Sequence, residues 1–292
     1  MVRSRETQAI LFGLAAVALW STVATVFKLG LAFLTPIQML WLGCVFSLAF
    51  FTVSKLVIAP TPITRSVYFR AGLLGLVNPL AYYLILFEAY DRLPAQIAQP
   101  LNYTWAITLA ILAIPILKQR LSSKALIGIG VSYVGVVILV TRGASVGFDT
   151  FDMGGITLAL LSTLLWSLYW LATIRLECHP ASLMLIGFAV ATPIIGLLCW
   201  STDGFPPLTP RTLSVGVWVG LFEMGVTFLL WQQALSRTRQ VAKISQLIFL
   251  SPFISLFLIH QILGESVHPS AVIALGLIVL GVVLVNKPTV VR

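Results

Sequence analysis

The chain has 292 residues, of which 59% are hydrophobic and only 9% charged. A soluble domain carries about 25% charged residues, so the composition excludes a surface made for water and points to a membrane. The formal net charge of +9 does not indicate a nucleic-acid partner, because no basic cluster is interleaved with aromatics as a nucleic-acid reader needs.

Crossing the hydrocarbon core takes about 20 apolar residues in a helix. By that measure the sequence predicts, in chain order, spans at 8–29, 36–58, 68–88, 94–117, 121–141, 154–174, 181–201, 211–235, 240–263 and 268–286. The first follows Arg3 and Arg5, as a signal peptide would. It is too long for a signal core and lacks a small-residue cleavage site, so it is expected to be retained. The linkers are too short for a separate soluble domain, and 1–292 reads as a single membrane domain. With the N-terminus inside, only Lys28, Arg92, Arg142 and Arg211 of the 18 basic residues fall on outside segments. Basic residues held on the cytoplasmic side set orientation, so both termini are expected in the cytoplasm. Cys44, Cys178 and Cys199 show neither metal spacing nor a disulfide framework; no metal and no cofactor are expected.

Sliding the chain on itself by about 146 residues aligns two halves. Leu19-Trp20-Ser21 meets Leu165-Trp166-Ser167, and Leu117 meets Leu263. Ala125, Gly130 and Gly135 meet Ala271, Gly276 and Gly281. Pro36 and Pro180 both open the second span of their half. The expected fold is therefore an all-α polytopic membrane protein with ten transmembrane helices in two five-helix repeats, 1–146 and 147–292. An odd number of spans per repeat inverts the second copy. Inverted repeats of this kind place a substrate site near the bilayer midplane, between halves that rock around it. Spans five and ten are the least polar, and their glycines (Gly128, Gly130, Gly135, Gly276, Gly281) fit close helix contact, so they are assigned to packing or dimerisation.

The end of the second half reads Ser251-Pro252-Phe253-Ile254-Ser255-Leu256, then Leu263-Gly264-Glu265-Ser266, then Gly276 and Gly281. With ten spans in two halves, this pattern resembles the drug/metabolite transporter superfamily, EamA type, over essentially the whole chain. The first half departs from it, with Leu117-Lys118-Gln119 at the Leu-Gly-Glu position and Ala106 at the proline position, where Pro100 and Pro115 stand nearby. That divergence and the many aromatics in spans three, four and six resemble the YddG-type aromatic amino-acid exporters. The resemblance implies export of amino acids, in bacteria from the inner membrane outward.

Polar groups at mid-membrane are expensive and tend to face a wet cavity. Asn78 lies midway along span three and Glu223 midway along span eight, at nearly equivalent repeat positions. They are expected to face one another across a central cavity. Glu223 is read as contacting a substrate amino group or taking up a proton; the plainer alternative is a buried protonated carboxyl serving a helix–helix hydrogen bond. Tyr82, four residues after Asn78, falls on the same face of a regular helix, with Tyr83 beside it. Span four offers Gln96, Gln99, Asn102 and Tyr103, with Gln99 and Tyr103 on one face and Trp105 on a neighbouring one. Gln246 and Ser245 are the counterparts of Pro100 and Gln99, and Trp20 and Trp166 are counterparts of each other. Aromatic walls with a few amides and hydroxyls suit a small zwitterion with an apolar side chain. Trp41, Trp200 and Trp218 are better read as interface anchors. Lys28 and Glu88, near the outer ends of spans one and three, are either an outer gate or snorkelling side chains. Lys243 and His260 stand near opposite ends of span nine, where a structural histidine is the simpler reading. Proline removes a helical hydrogen bond, so Pro79, Pro100 and Pro252 are candidate hinges.

The expected function is secondary export of small metabolites, aromatic and other apolar amino acids first, by alternating access. The partners are the amino-acid substrate and membrane lipid; a monomer suffices to enclose the site, and a dimer stays open. A drug or other metabolite exporter of the same superfamily is the alternative within transport. An intramembrane enzyme or a non-transporting receptor is the alternative outside it. No His-Glu-x-x-His, Gly-x-Ser-x-Gly or mid-membrane aspartate pair supports an enzyme, and no enzymatic activity is expected.

Overall fold

The computed structural model of the chain describes residues 2–57, 63–117, 123–140, 152–173, 176, 178–237 and 246–286. Lys118, Gln119, Arg142, Lys243 and Ser245 lie outside the described residues, as does the side chain of Gln246. All regular structure among the described residues is helical. Seven helical runs are long and apolar enough to cross a membrane: Arg5–Leu31, Pro36–Lys55, Arg65–Arg92, Ala95–Ile116, Met153–Thr173, Pro180–Thr202 and Pro210–Trp231. The other expected spans coincide with shorter apolar helices at Leu126–Leu139, Ser251–Leu263 and Pro269–Leu284.

Local chemistry sets where these helices start, stop and break. The first span comprises α1 (Val2–Ser21) and α2 (Val23–Leu31), joined at Thr22, whose hydroxyl bonds back to Leu19 O at 2.7 Å. Prolines open α3 (Pro36–Val57) and α10 (Pro180–Thr202), where their missing N–H costs nothing. The third span runs as α4 (Arg65–Gly75), a wide π-type segment Leu76–Ala81, and α5 (Tyr82–Arg92). Within that segment Asn78 leaves the helical region, with φ −141° and ψ 115°. The ring of Pro79 enforces this, since it disfavours α geometry in the residue before it.

The next elements are α6 (Ala95–Tyr103), α7 (Trp105–Leu117), α8 (Ser123–Val140) and α9 (Met153–Thr173). After α10 come α11 (Pro210–Val217), a second π-type segment Trp218–Val226, and α12 (Thr227–Arg237). A capping box between Thr209 and Thr212 starts α11. The chain then forms a 3-10 turn Gln246–Leu250, α13 (Ser251–Leu258), a π-type turn Ile259–Leu263, and α14 (Pro269–Asn286).

Packing builds outward from α3, which lies against α10, α11 and the Trp218–Val226 segment. On the other side α9 packs against α5, α6 and α7, while α1 packs against α12 and α13. Glycines permit the tightest crossings. A Cβ on Gly75 would lie 2.5 Å from Gly187 O, and one on Gly220 would lie 2.5 Å from Gly43 O. Ser47 Oγ donates to Gly220 O at 2.9 Å across this second crossing. Phe27, Phe51, Phe87 and Tyr83 fill the interior, while Phe69, Leu197, Trp200 and Phe257 point outward. Apolar residues both inside and out are what a helix bundle in lipid requires, since lipid is as apolar as the core.

The pairing of α8 with α14 is the most extensive helix contact among the described residues. It is also reciprocal. Ser132 Oγ donates to Ile278 O at 3.0 Å, between residues 146 apart in sequence. Gly135 approaches Ala274 and Ile278, and Gly281 approaches Gly128 and Ser132, so these contacts mirror one another at the same offset. Gly130 and Gly276, by contrast, have nothing within 4 Å of where a Cβ would stand and take no part in the crossing.

Candidate functional site

The second irregular stretch of helix meets the third span just beyond the first one. Glu223 sits in the Trp218–Val226 segment, and Tyr83 is the second residue of α5, just after the segment that holds the Asn78–Pro79 break. Tyr83 Oη donates to Glu223 Oε1 at 3.1 Å. Both are buried, at 2% and 8% exposure. Among the described residues the other carboxyl oxygen, Glu223 Oε2, has no hydrogen-bond partner, and neither do Asn78 Oδ1 and Gln99 Oε1. Buried polar atoms in native structures are nearly always paired, so these unsatisfied acceptors, on three different spans, are exceptional. π-type bulges inside otherwise regular helices frequently coincide with functional sites, and Thr227 supports this one by donating its hydroxyl to Phe222 O.

This geometry corrects the spacing expected for span three. Asn78 and Tyr82 do not stand on one face of a regular helix, because Asn78 is extended and the helix restarts at Tyr82. The buried partner of Glu223 is accordingly Tyr83, five residues beyond Asn78. Tyr82 turns instead to Trp166, ring centroids 4.6 Å apart, and its hydroxyl lies beside the Asn102 amide.

Around this centre the aromatic side chains form a continuous wall. Trp166 touches Tyr82, Trp105, Tyr169, Trp170 and Phe228, with centroids between 4.6 and 6.4 Å. Trp20 reaches the same Phe228 at 6.1 Å and Trp231 at 5.4 Å. The repeat-related tryptophans therefore flank one phenylalanine. Phe228 and Trp231 were not singled out from the sequence, although their three-residue spacing puts them on one side of α12. Trp200 is 66% exposed and Trp41 packs on Phe205, away from this wall.

From α6 come Gln99, Asn102 and Tyr103. Gln99 and Tyr103 share a helical face. Tyr103 Oη donates to Ser251 Oγ at 2.8 Å, and Asn102 Nδ2 donates to Ser162 Oγ at 3.0 Å. Neither serine was assigned to the site from the sequence, being small and far along the chain. Pro100 lies inside α6, whereas Pro252 sits in the first turn of α13, directly after the 3-10 turn that contains Gln246. Gln96 is buried but belongs to the end of the bundle, where it meets the loop before α14. Lys28 reaches backbone carbonyls at the same end, and Glu88 pairs with Arg92 at 2.7 Å. Among the described residues, no group of three or more His, Cys, Asp or Glu side chains is placed to hold a metal ion.

Long apolar helices around a buried carboxyl and buried amides define a multi-pass membrane protein with a polar interior. Similarity to known proteins makes the assignment specific: the chain belongs to the EamA-like transporter family, whose model matches residues 7–141 and again 153–287. An uncharacterised transporter of Clostridium kluyveri is 27% identical over 63% of this chain, and the match spans 64% of that protein. The aromatic amino acid exporter YddG of Ancylobacter novellus is 25% identical over 69% of this chain and 70% of its own length. A solved structure superposes with a TM-score of 0.66 at 23% identity, covering 96% of this chain and 98% of the other, a likeness of fold.

Proposed function

We propose that the protein is a secondary exporter of amino acids with aromatic or other apolar side chains, working by alternating access. In this reading the ten apolar segments are ten transmembrane helices in two inverted five-helix repeats. The reciprocal α8–α14 contact and the double family match support it. The protein resides in a bacterial inner membrane with both termini in the cytoplasm, and a monomer is sufficient.

The observation that carries the substrate reading is the chemistry of the unpaired atoms. Glu223 Oε2, Asn78 Oδ1 and Gln99 Oε1 are all acceptors, and a substrate ammonium brings donors. The wall of Tyr82, Trp166, Phe228 and Trp20 offers rings for an apolar side chain. Tyr83 holds Glu223 in place, Tyr103 links α6 to α13, and Gln246 is assigned to the site as a further amide. Pro79 and Pro252 stand where helices break or restart, Pro100 lies inside α6, and we assign the bending between states to all three. The name of the Ancylobacter novellus relative supports this cargo.

The test is counterflow of labelled phenylalanine, tryptophan, threonine and methionine in liposomes containing the pure protein, beside Glu223→Gln and Tyr82→Ala. Saturable uptake of at least one, lost in both variants, is expected. Folded protein that moves none of them refutes the amino-acid reading.

A further inference from the structure

The Leu263-Gly264-Glu265 segment takes no part in the central site, yet its geometry is specific. Gly264 has φ +67°, the left-handed conformation that commonly terminates a helix and that glycine adopts without strain. The turn it makes delivers Glu265 to the start of α6, in the other half of the chain. Glu265 Oε1 accepts from Ala95 N at 3.0 Å, and Oε2 accepts from Gln96 N at 3.3 Å. The first turn of a helix has unpaired N–H groups and partial positive charge. Pro94, the residue at the cap, contributes no side-chain bond of its own, so Glu265 supplies the cap from a distance.

Gln96 returns the contact. Its Nε2 donates to Ser266 O at 3.1 Å, and its Oε1 accepts from His268 N at 3.3 Å. Alongside, Lys28 Nζ donates to Tyr90 O at 2.8 Å and Leu93 O at 3.1 Å, tying α2 to the turn that leads into α6. The two halves are thus joined at this end by Glu265 and Gln96, and Lys28 braces the turn within the first half. The corresponding position of the first half is Gln119, an amide rather than a carboxylate.

We propose that Glu265 is a clasp between the halves, made while the centre is closed to this end of the bundle and released when it opens there. It is a positioning residue that acts through α6, the helix carrying Gln99, Asn102 and Tyr103. This rests on the alternating-access reading, whose orientation puts the clasp on the outer side. Hydrogen bonds to a charged group are roughly twice as strong as neutral ones, so Glu265→Gln preserves size but shifts the population toward the open state.

Ala98 on α6 is fully buried, and Ala98→Cys in the full-length protein provides a reporter thiol. An impermeant thiol reagent is added to intact cells and, separately, to inverted membrane vesicles, and the labelled position is quantified by peptide mass spectrometry. Adding Glu265→Gln is expected to speed labelling of the reporter in intact cells by about tenfold, Glu265→Asp by less, and Gln96→Leu by a similar factor through the opposite partner. Acceleration in inverted vesicles alone supports the clasp and overturns the orientation. Unchanged labelling in Glu265→Gln and Gln96→Leu, both present in the membrane at normal levels, overturns the clasp. If Glu265→Gln does not reach the membrane, Gln96→Leu decides. Because labelling needs no cargo, its result stands even if amino-acid counterflow fails.

Discussion

The Tyr83–Glu223 pair allows a quantitative test of the centre. Tyr83→Phe removes the donor at 3.1 Å from Glu223 Oε1. Since Glu223 Oε2 is already unpartnered, the variant leaves a buried carboxyl with neither oxygen paired. Stranding a buried polar group costs about 1–3 kcal/mol, while hydrogen bonds between membrane helices measure about 0.6 kcal/mol on average and about 1.7 at most. A bond to a carboxyl belongs near the top of the membrane range, so about 1.5 kcal/mol is expected. On the scale of about 2–4 °C per kcal/mol for large domains, the thermal midpoint of the purified protein should fall by roughly 3–6 °C. In a Glu223→Leu background the hydroxyl has nothing to satisfy, and removing both partners of a bond is nearly neutral. The same Tyr83→Phe change should then lower the midpoint by less than about 1 °C. Equal losses in the two backgrounds would show that the pair does not interact and would refute the site geometry. Glu223→Gln, which keeps an acceptor for Tyr83, is expected to hold the midpoint while abolishing counterflow.

Other consequences can be checked in the same preparations. Gly220→Ala places a methyl 2.5 Å from both Gly43 O and Phe46 Cβ; overpacking of this kind costs about 1–3 kcal/mol and should reduce the yield of folded protein. Gly130→Ala meets nothing within 4 Å and gains up to about 1 kcal/mol of helix propensity, so its midpoint should hold or rise. Trp166→Ala removes the hub of the aromatic wall and should raise the half-saturating substrate concentration at least about tenfold, whereas Trp200→Ala, at the exposed surface, should leave counterflow unchanged. Burial pushes the Cys178 thiol up from its ordinary range. Only the thiolate reacts, so at neutral pH its maleimide labelling should lag behind that of a free cysteine peptide and keep rising at alkaline pH where the peptide has levelled off.

Much of this architecture was legible in the sequence because lipid imposes simple rules. Apolar runs of spanning length gave the helices, and Pro36 and Pro180 marked two of their starts. Glu223 and Asn78 stood out because a polar group in such a run is costly. Their true relation was hidden by backbone geometry. The break before Pro79 and the π-type segment around Glu223 each shift the helical phase, so a rule based on regular turns grouped Tyr82 with Asn78 and gave no sign that Tyr83 bonds the carboxyl. Phe228 and Trp231 were concealed for a different reason: aromatic residues are as much at home facing lipid as lining a centre, and only the packing of α1 on α12 separates the two. Glu265 was visible as part of a motif, but its partners lie about 170 residues earlier, and no local pattern announces a cap supplied from that far away.

The mirrored contact between α8 and α14 bears on how such a molecule arises. The helices meet at matching positions, Gly128, Ser132 and Gly135 on one and Ala274, Ile278 and Gly281 on the other, as two copies of one chain do across a dyad axis. A half-length polypeptide ending in this helix would already possess a face that recognises itself. Fusing two such genes would then need no new interface, only a linker. Residues 1–146 and 147–292, produced as separate polypeptides in one cell, should find each other through this surface and migrate together after solubilisation.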